Sequence, residues 1–409
     1  MAKKRNIEGQ RLYHFELSDK NRTVRWVFIV VLLVIAVAAI TIGITGALEA
    51  SDGWQLIEVS TGMPNCSREF VFSYDLGAGE YSATDEKKGL TLLYNQIAEK
   101  AWQVFYNEAG AVEGVNGLYV LNQNANKELT VEPELYQVLQ QLENNGTRTL
   151  FFGPVYQAYD QVFYSPDEVS AVECDPVSNP EVAAYIAKLA TYANDPGSVD
   201  LELRGNNRVF LKVSAEYEAF LKKNEVTAIL DFGWLRNAFV IDYMAQQVTD
   251  AGFTNGYFSS VDGFTRNLDR RDTAYNLELY HQGRTVATAT YRGGNSIVFL
   301  RSYPMYQGDA YRYYTFSDGR VLAPYVDLRD GKSKTAAHEL LSYSTDLGCA
   351  ELAMTMLPIY AADNFDENLV TELTGKNVQS VWFADNKLFH TDGNLQLTIQ
   401  DSVLTAKKK

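Results

Sequence analysis

The sequence is poor in the side chains that build metal centres and disulfides. It has three cysteines (Cys66, Cys174 and Cys349) and four histidines in 409 residues. No Cys-x-x-Cys pair, His-Glu-x-x-His helix or Gly-x-Ser-x-Gly elbow occurs. A disulfide framework and a structural zinc site are therefore excluded, and zinc-protease or elbow-type serine-hydrolase chemistry has no support.

Positive charge is also scarce. There are 36 Lys and Arg against 51 Asp and Glu, a formal net charge of −15. The first 25 residues hold seven basic and three acidic groups, a local +4, so the remaining 384 residues carry −19. This balance argues against nucleic-acid binding as the main activity. Gly and Pro are few enough, and apolar types at 46% frequent enough, to exclude a disordered or fibrous chain.

One long uncharged run lies near the N-terminus. Residues 26–48, which begin at Trp26 and end at Leu48, carry no charge over 23 positions. That length predicts one transmembrane helix, since about 20 apolar residues cross a bilayer. A cleaved signal peptide is the alternative, but its apolar region is usually about 7–15 residues. The preceding basic cluster predicts a cytoplasmic tail (1–25), then a juxtamembrane linker (49–68) and an extracytoplasmic domain (69–409).

Hydrophobic periodicity predicts interspersed helices and strands. Residues 69–76 are typical of a strand, and a helix follows from Thr84. The Gly77-Ala78-Gly79 turn between them resembles the start of a dinucleotide fingerprint, but the missing third glycine favours a plain tight turn. Further helices are predicted at 133–144, 179–194, 215–223 and 345–361, with short strands from about residue 256 and a C-terminal hairpin at 380–391. Without a regular βαβ rhythm, the pattern favours an α+β fold.

Four segments carry candidate chemistry. They are residues 146–154 (GTRTLFFGP), 231–242 (DFGWLRNAFVID), 322–331 (LAPYVDLRDG) and 350–357 (AELAMTML). The second places a glycine turn before a helix whose free N–H groups suit a phosphate. The fourth places Glu351 and Thr355 four residues apart on one helical face, a spacing that allows both to bind a cation.

In order and spacing, these segments resemble the ApbE-like FAD:protein FMN transferases. The corresponding family strings are G-x-F-D-P-T-x-G-P, D-L-G-G-I-A-K-G-Y-A-V-D, S-H-I-I-D-P-x-T-G and A-D-A-L-A-T-A-L. The similarity extends from about residue 69 to residue 399. It implies an ApbE-like fold of mixed and antiparallel sheets with packed helices.

The resemblance also implies an activity. Members of this family split FAD at its pyrophosphate with a divalent cation, Mg²⁺, and attach FMN to a Ser or Thr hydroxyl of a partner protein. Here the partner would be an FMN-accepting extracytoplasmic protein. The resemblance implies that the metal is bound by the carbonyl of Arg236 and by Glu351 and Thr355. It implies a cofactor site formed by Gly146, Gly153, Pro154, Asp231, Gly233 and Ser302. It implies catalytic roles for Asp242 and Asp327.

The chain departs from the family at several of these positions. Asn237 and Ala238 replace a Lys-Gly pair, and Pro324 replaces a histidine. A proline side chain neither transfers a proton nor donates a hydrogen bond. Arg236 itself brings a positive charge to the place where a cation is expected. Ser302 stands in a family T-S-G string that here reads Arg-Ser-Tyr.

Each motif also has a structural interpretation. The glycines fit turns, Asp242 fits the wet side of a capped helix, and Glu351 with Thr355 fits an N-terminal acid and a hydroxyl bonded to its own helix. Two functions therefore stay open. One is a membrane-anchored FMN transferase, and the other is a catalytically inactive flavin-nucleotide binder or scaffold of an extracytoplasmic electron-transfer system. A receptor for another ligand is a third, suggested only by the 26 tyrosines.

Overall fold

The computed structural model describes residues 50–59, 62–79, 81–268, 274–281, 283–292, 296–305, 312–384, 387–400 and 405–409. The predicted cytoplasmic tail and the apolar run at residues 26–48 lie outside this part of the chain. Among the helices that the structure describes, none has the length and apolar character needed to cross a membrane.

Helices begin where a side chain or a proline accommodates the unpaired N–H groups of the first turn. Ser82 Oγ accepts a hydrogen bond from the Asp85 N–H at 3.2 Å, and Pro133 and Pro180 each open a helix. The described α-helices are α1 (Ala83–Phe105), α2 (Leu118–Gln123), α3 (Pro133–Asn144), α4 (Gly153–Phe163), α5 (Glu168–Cys174), α6 (Pro180–Asn194), α7 (Ala215–Lys223), α8 (Arg236–Asp250), α9 (Cys349–Tyr360) and α10 (Glu367–Glu372).

Strands occupy both ends of the described chain and the hairpin before α7. They are β1 (Gly53–Leu56), β2 (Phe70–Leu76), β3 (Glu128–Thr130), β4 (Val199–Leu203), β5 (Arg208–Val213), β6 (Gly256–Ser260), β7 (Phe264–Asn267), β8 (Ala274–His281), β9 (Arg284–Arg292), β10 (Ser296–Arg301), β11 (Tyr314–Thr315), β12 (Val321–Leu322), β13 (Glu339–Ser344), β14 (Val378–Ala384), β15 (Lys387–His390), β16 (Gln396–Ile399) and β17 (Thr405–Lys408).

The main sheet has nine strands in the order β1-β2-β6-β7-β10-β13-β14-β15-β17. Its neighbours pair antiparallel except for β15 and β17, which are parallel. Separate small sheets join β16-β9-β8, β3-β5-β4 and β11-β12. The mixed sheet with interspersed helices confirms the predicted α+β class. This topology differs from the doubly wound parallel sheet that a dinucleotide fingerprint at Gly77 would require. The Gly77 N–H instead donates to Glu86 Oε2 at 2.7 Å in a tight turn.

Two layers cover the main sheet. Helices α1, α8 and α9 pack on one face, where the rings of Phe72 and Phe258 stack with centroids 4.1 Å apart. The β16-β9-β8 sheet contributes Ala287 to a second cluster, which includes Ile297 and Leu341 of the main sheet. Because both faces are covered, every residue of β13 is buried.

The predicted helices at 133–144 and 215–223 have the observed boundaries, and the one at 179–194 begins one residue later. The helix predicted from residue 345 begins instead at Cys349, because Gly348 has extended backbone and forms the N-cap. Helix α4 was not predicted, although it follows the Gly153-Pro154 pair. Its first turn is in contact with the loop before Gly233, which positions the candidate site.

Candidate functional site

The first wall of the site is helix α4, which approaches the loop at residues 228–231 closely. A Cβ atom on Gly153 would lie 2.8 Å from the Ala228 carbonyl oxygen and 3.0 Å from the Asp231 nitrogen. Only glycine allows this approach without displacing the loop. The Asp231 N–H also donates to the Leu150 carbonyl at 2.9 Å, which ties the loop to the residues ahead of α4.

The second wall is the turn that opens helix α8. Asp231 Oδ1 accepts from the Gly233 N–H at 2.7 Å, and Oδ2 accepts from Asn107 Nδ2 at 2.6 Å. Gly233 has φ +55, and a Cβ there would lie 2.6 Å from the ring of Tyr156. Asp231 and Gly233 therefore form a tight turn, and Gly233 accommodates a buried aromatic ring from α4.

These walls enclose a cavity of about 360 Å³. Four residues that the resemblance implied, Gly153, Asp231, Gly233 and Arg236, line it together, although they come from two separate segments. The remaining lining includes five aromatic side chains: Tyr156, Tyr159, Phe163, Tyr164 and Trp234. We refer to this cavity as the cleft. Aromatic walls with a few polar groups are typical of a small-molecule site.

Two arginines line the cleft. Arg236 lies over the ring of Tyr106, with its guanidinium carbon 4.0 Å from the ring centroid. Its Nη1 donates to both oxygens of Glu108, at 3.3 and 3.4 Å. Arg312 Nη2 contacts Glu69 Oε2 at 2.8 Å, and its Nη1 contacts Asp262 Oδ2 at 3.0 Å.

Glu69 joins the two guanidinium groups. Its Oε1 lies 3.6 Å from Arg236 Nη2, while Oε2 contacts Arg312. Burial opposes ionisation of this carboxyl, but Arg236 and Arg312 together hold its pKa below the usual value. The two guanidinium groups thus share a carboxylate partner whose charged form they favour.

Two buried N–H donors at this site lack acceptors within the described part of the chain. They are the indole Nε1 of Trp234 and the guanidinium Nε of Arg236. Both belong to side chains that line the cleft. A buried donor without an acceptor costs free energy, about 1–3 kcal/mol, unless another group satisfies it.

The cleft also contains carboxylates. Burial within the walls, together with the negative charges of Asp231 and Glu108, raises the pKa of Asp160 to about 6. Burial likewise raises the pKa of Asp231, although Arg236 opposes that shift. A carboxyl group that titrates near neutral pH in a cleft is a candidate for proton transfer.

Three other predicted residues lie on α9 or contact its first turn: Glu351 and Thr355 are part of α9, and Asp242 of α8 contacts its N-terminus. Both Asp242 oxygens accept backbone hydrogen bonds, from Cys349 and Ala350, each at 2.9 Å. Burial raises the pKa of Asp242, while Arg266 and these N–H groups oppose the shift. Thr355 Oγ1 donates to the Glu351 carbonyl at 2.8 Å, as the structural interpretation of this pair expects. Asp242 therefore caps helix α9 with both carboxylate oxygens, whereas the resemblance implied a catalytic role for it.

Asp327 has a similar structural environment. Its carboxylate accepts hydrogen bonds from the side chains of Arg329 and Lys334. Burial opposes ionisation, but these bonds lower the pKa of Asp327 to about 2. A general base works best with a pKa near the working pH. These bonds favour a structural role for the charged form of Asp327, whereas the implied catalytic role would need a higher pKa.

The remaining predicted residues do not line the cleft. Gly146 ends helix α3 with φ +63, and a Cβ there would meet nothing within 4 Å. Pro154 occupies the first turn of α4. Ser302 Oγ lies 3.2 Å from Nδ1 of His338. Gly146 is therefore the turn glycine that follows helix α3.

The magnesium ligands that the resemblance implied are the Arg236 carbonyl, Glu351 and Thr355, which include only one carboxylate. Thr355 donates its hydroxyl hydrogen to the Glu351 carbonyl, and the side chain of Arg236 adds a positive charge, which disfavours a nearby cation. Across the described residues, no group of three or more His, Cys, Asp or Glu could hold a metal ion. Mg²⁺ prefers near-octahedral oxygen ligands, usually carboxylates and water. One carboxylate, with an arginine among the implied ligands, is therefore a weak donor set for this ion.

Several residues that line the cleft are not predicted from the sequence. Helical spacing after Gly153 could have found Tyr156, Asp160 and Phe163, since positions three and four apart share a helix face. Glu108 and Arg312 carry no local signal. They reach the cleft only because distant segments meet there.

One comparison with solved structures identifies the class of fold, and two comparisons with sequence data found no match. No protein-family model and no curated protein matches the chain. Solved structures do match, and the fold is that of the flavin transferases.

In particular, the ApbE protein from Thermotoga maritima matches with a TM-score of 0.54 and 11% identity, covering 81% of this chain and 94% of that one. The flavin transferase ApbE from Vibrio cholerae, solved as a histidine-to-glycine mutant, matches with a TM-score of 0.53 and 12% identity, covering 86% of this chain and 98% of that one. At such identities the likeness shows the fold alone.

Proposed function

We propose that this protein binds FAD in the cleft and neutralises its diphosphate with Arg236 and Arg312 rather than with a metal ion. The observation that carries the proposal is the pair of buried donors without acceptors, on Trp234 and Arg236. Phosphate oxygens are acceptors, and a guanidinium group matches their geometry. The flavin transferase fold supports the choice of a flavin nucleotide.

The lining suits both parts of such a ligand. The rings of Tyr156, Tyr164 and Trp234 offer flat faces against which an isoalloxazine or adenine ring can stack. Trp234 is itself held in place, since its ring stacks on Phe264 at 5.9 Å and meets Tyr325 edge-on at 4.9 Å. A fixed aromatic wall lowers the entropy cost of binding.

FMN transfer to a partner protein is a second candidate function. The observation that favours it is Asp160, a cleft carboxyl group with a pKa of about 6. Such a group could accept the proton of a Ser or Thr hydroxyl on an FMN-accepting extracytoplasmic protein. The replacement of family residues by Asn237, Ala238 and Pro324 favours binding without turnover over this candidate.

One titration separates these functions. The full-length protein is mixed with FAD in EDTA or in Mg²⁺, and then with an acceptor protein that carries a flavinylation site. We expect FAD to bind with the same Kd, within twofold, in both buffers and no FMN mass to appear on the acceptor. An FMN adduct with release of AMP would select the transferase. Absence of FAD binding in either buffer would overturn both functions.

The pH dependence of FAD binding is a second prediction. Asp160 faces Asp231, Glu108, Arg236 and Arg312. Because its pKa is raised to about 6, the carboxyl is mostly neutral at pH 5.5 and charged at pH 7.5. FAD keeps its diphosphate charge over this range, so we expect about threefold tighter binding at pH 5.5, from the loss of one repulsive charge. Asp160→Asn should remove this dependence; an unchanged pH profile in that variant would contradict the assignment.

We also propose that residues 26–48 anchor the chain in the cell membrane with the cleft outside the cytoplasm. The uncharged run and the basic residues before it support this arrangement. Membrane fractionation of full-length protein, followed by protease treatment of intact cells, tests it. Recovery of the full-length chain in the soluble fraction would contradict the anchor.

A further inference from the structure

A second cavity adjoins the cleft. It encloses about 340 Å³, and three of its lining residues, Glu108, Tyr164 and Arg236, also line the cleft. We call it the side cavity; its other lining residues are Arg68, Glu69, Trp102, Tyr106 and Val261. The two cavities therefore share one wall.

Two of the three shared residues are largely exposed. The Glu108 side chain is 58% exposed and Tyr164 is 64% exposed, whereas the Arg236 side chain is 15% exposed. Glu108 lies in a short 3-10 turn, Asn107–Ala109. An ion pair with one exposed partner contributes little stability, so an anion of higher charge can replace Glu108 on Arg236.

The side cavity has its own aromatic surface. The rings of Trp102 and Tyr106 lie 4.7 Å apart, and the guanidinium of Arg236 covers Tyr106. Arg68, which is exposed, adds a positive charge at the rim. Tyr106 is 1% exposed and covered by Arg236, so the partly exposed Trp102 is the ring of this cavity against which the planar base of a nucleotide can stack.

We infer that the cleft and the side cavity are two halves of one dinucleotide groove, divided by Glu108 and Tyr164 until the ligand's diphosphate replaces the Glu108 carboxylate on Arg236. This inference rests on the proposed function and adds to it the place of the second ring and a specificity-determining residue. Joined, the two volumes give about 700 Å³, within the range of sites for large cofactors. A mononucleotide would use one half only.

The first test is Glu108→Gln, which removes the charge and keeps the size. With the competing carboxylate gone, we expect the full-length variant to bind FAD about tenfold more tightly, measured by quenching of flavin fluorescence. Glu143→Gln, an exposed glutamate on α3 outside both cavities, is the matched control and should leave the Kd within twofold. Equal FAD affinity in the Glu108→Gln variant and the wild type would overturn the role of Glu108.

The second test addresses the side cavity. Trp102→Leu should weaken FAD binding about tenfold and leave FMN binding within twofold, because only the dinucleotide reaches both halves. Arg68→Gln, a change on an exposed side chain, should also weaken FAD binding more than FMN binding. Equal effects on FAD and FMN, or no effect of either variant, would overturn the second half of the groove. Failure of the wild-type protein to bind FAD would instead reject the proposed function itself.

Discussion

Replacing Arg236 with Gln is expected to weaken FAD binding by about 100-fold, or about 2.7 kcal/mol. Arg236 lines both the cleft and the side cavity, and its guanidinium group would supply charge-assisted hydrogen bonds to the diphosphate. Glu69 keeps Arg312 at 2.8 Å, so the variant should stay folded. Calorimetric titration with FAD gives the Kd, and thermal unfolding of the same samples checks the fold.

Arg204→Gln is the matched control for this substitution. Arg204 is exposed and pairs with Glu202 and Glu128 away from the cleft, so its loss should leave FAD binding within twofold. A metal-dependent site predicts the opposite sign at Arg236. There, removal of a positive charge would strengthen Mg²⁺-dependent binding, and that result would overturn the arginine-based site.

Substitution of Gly233 by Ala is expected to have the second large effect. The new Cβ would lie 2.6 Å from the ring of Tyr156, which is 8% exposed. The Tyr156 hydroxyl is hydrogen-bonded to Thr149 Oγ1 at 2.7 Å, so the ring cannot move away freely. The substitution would also place a non-glycine residue at φ +55. The backbone and packing costs together predict a loss of about 3–4 kcal/mol in the free energy of unfolding, with loss of FAD binding.

Gly146→Ala is the control, because Gly146 has a similar φ of +63 but open space around its Cβ position. It should cost about 1 kcal/mol from backbone strain alone and leave FAD binding unchanged. Urea unfolding curves measure both variants. Equal destabilisation by the two substitutions would mean that the contact with Tyr156 contributes nothing.

Many helices and strands of this protein can be predicted from hydrophobic periodicity and from the residues that begin and end helices. Helix α3 was predicted to the residue because Pro133 opens it and apolar residues recur at helical spacing. The strand at Phe70–Leu76 was found from its apolar alternation. Helix α5 was missed, since a helix of seven residues gives too short a pattern to show a period.

The residues of the candidate site could be predicted from the sequence only in part. The resemblance named Gly153, Asp231, Gly233 and Arg236, and all four line the cleft. It also named Asp242 and Asp327, whose carboxylates cap a helix and pair with Arg329 and Lys334 instead. A sequence motif gives residue type and spacing, but it does not say whether a carboxylate faces a ligand or a neighbouring N–H group.

The amino-acid sequence by itself determined the α+β class, most of the longer helices and the candidate segments, because these follow from spacing between neighbours along the chain. Only the tertiary structure decided which charges meet. Glu69, Glu108, Arg236 and Arg312 are separated by up to 243 positions, yet they form one network at the cleft. Electrostatic interaction depends on distance in space, and the folded sheet and helices alone set that distance.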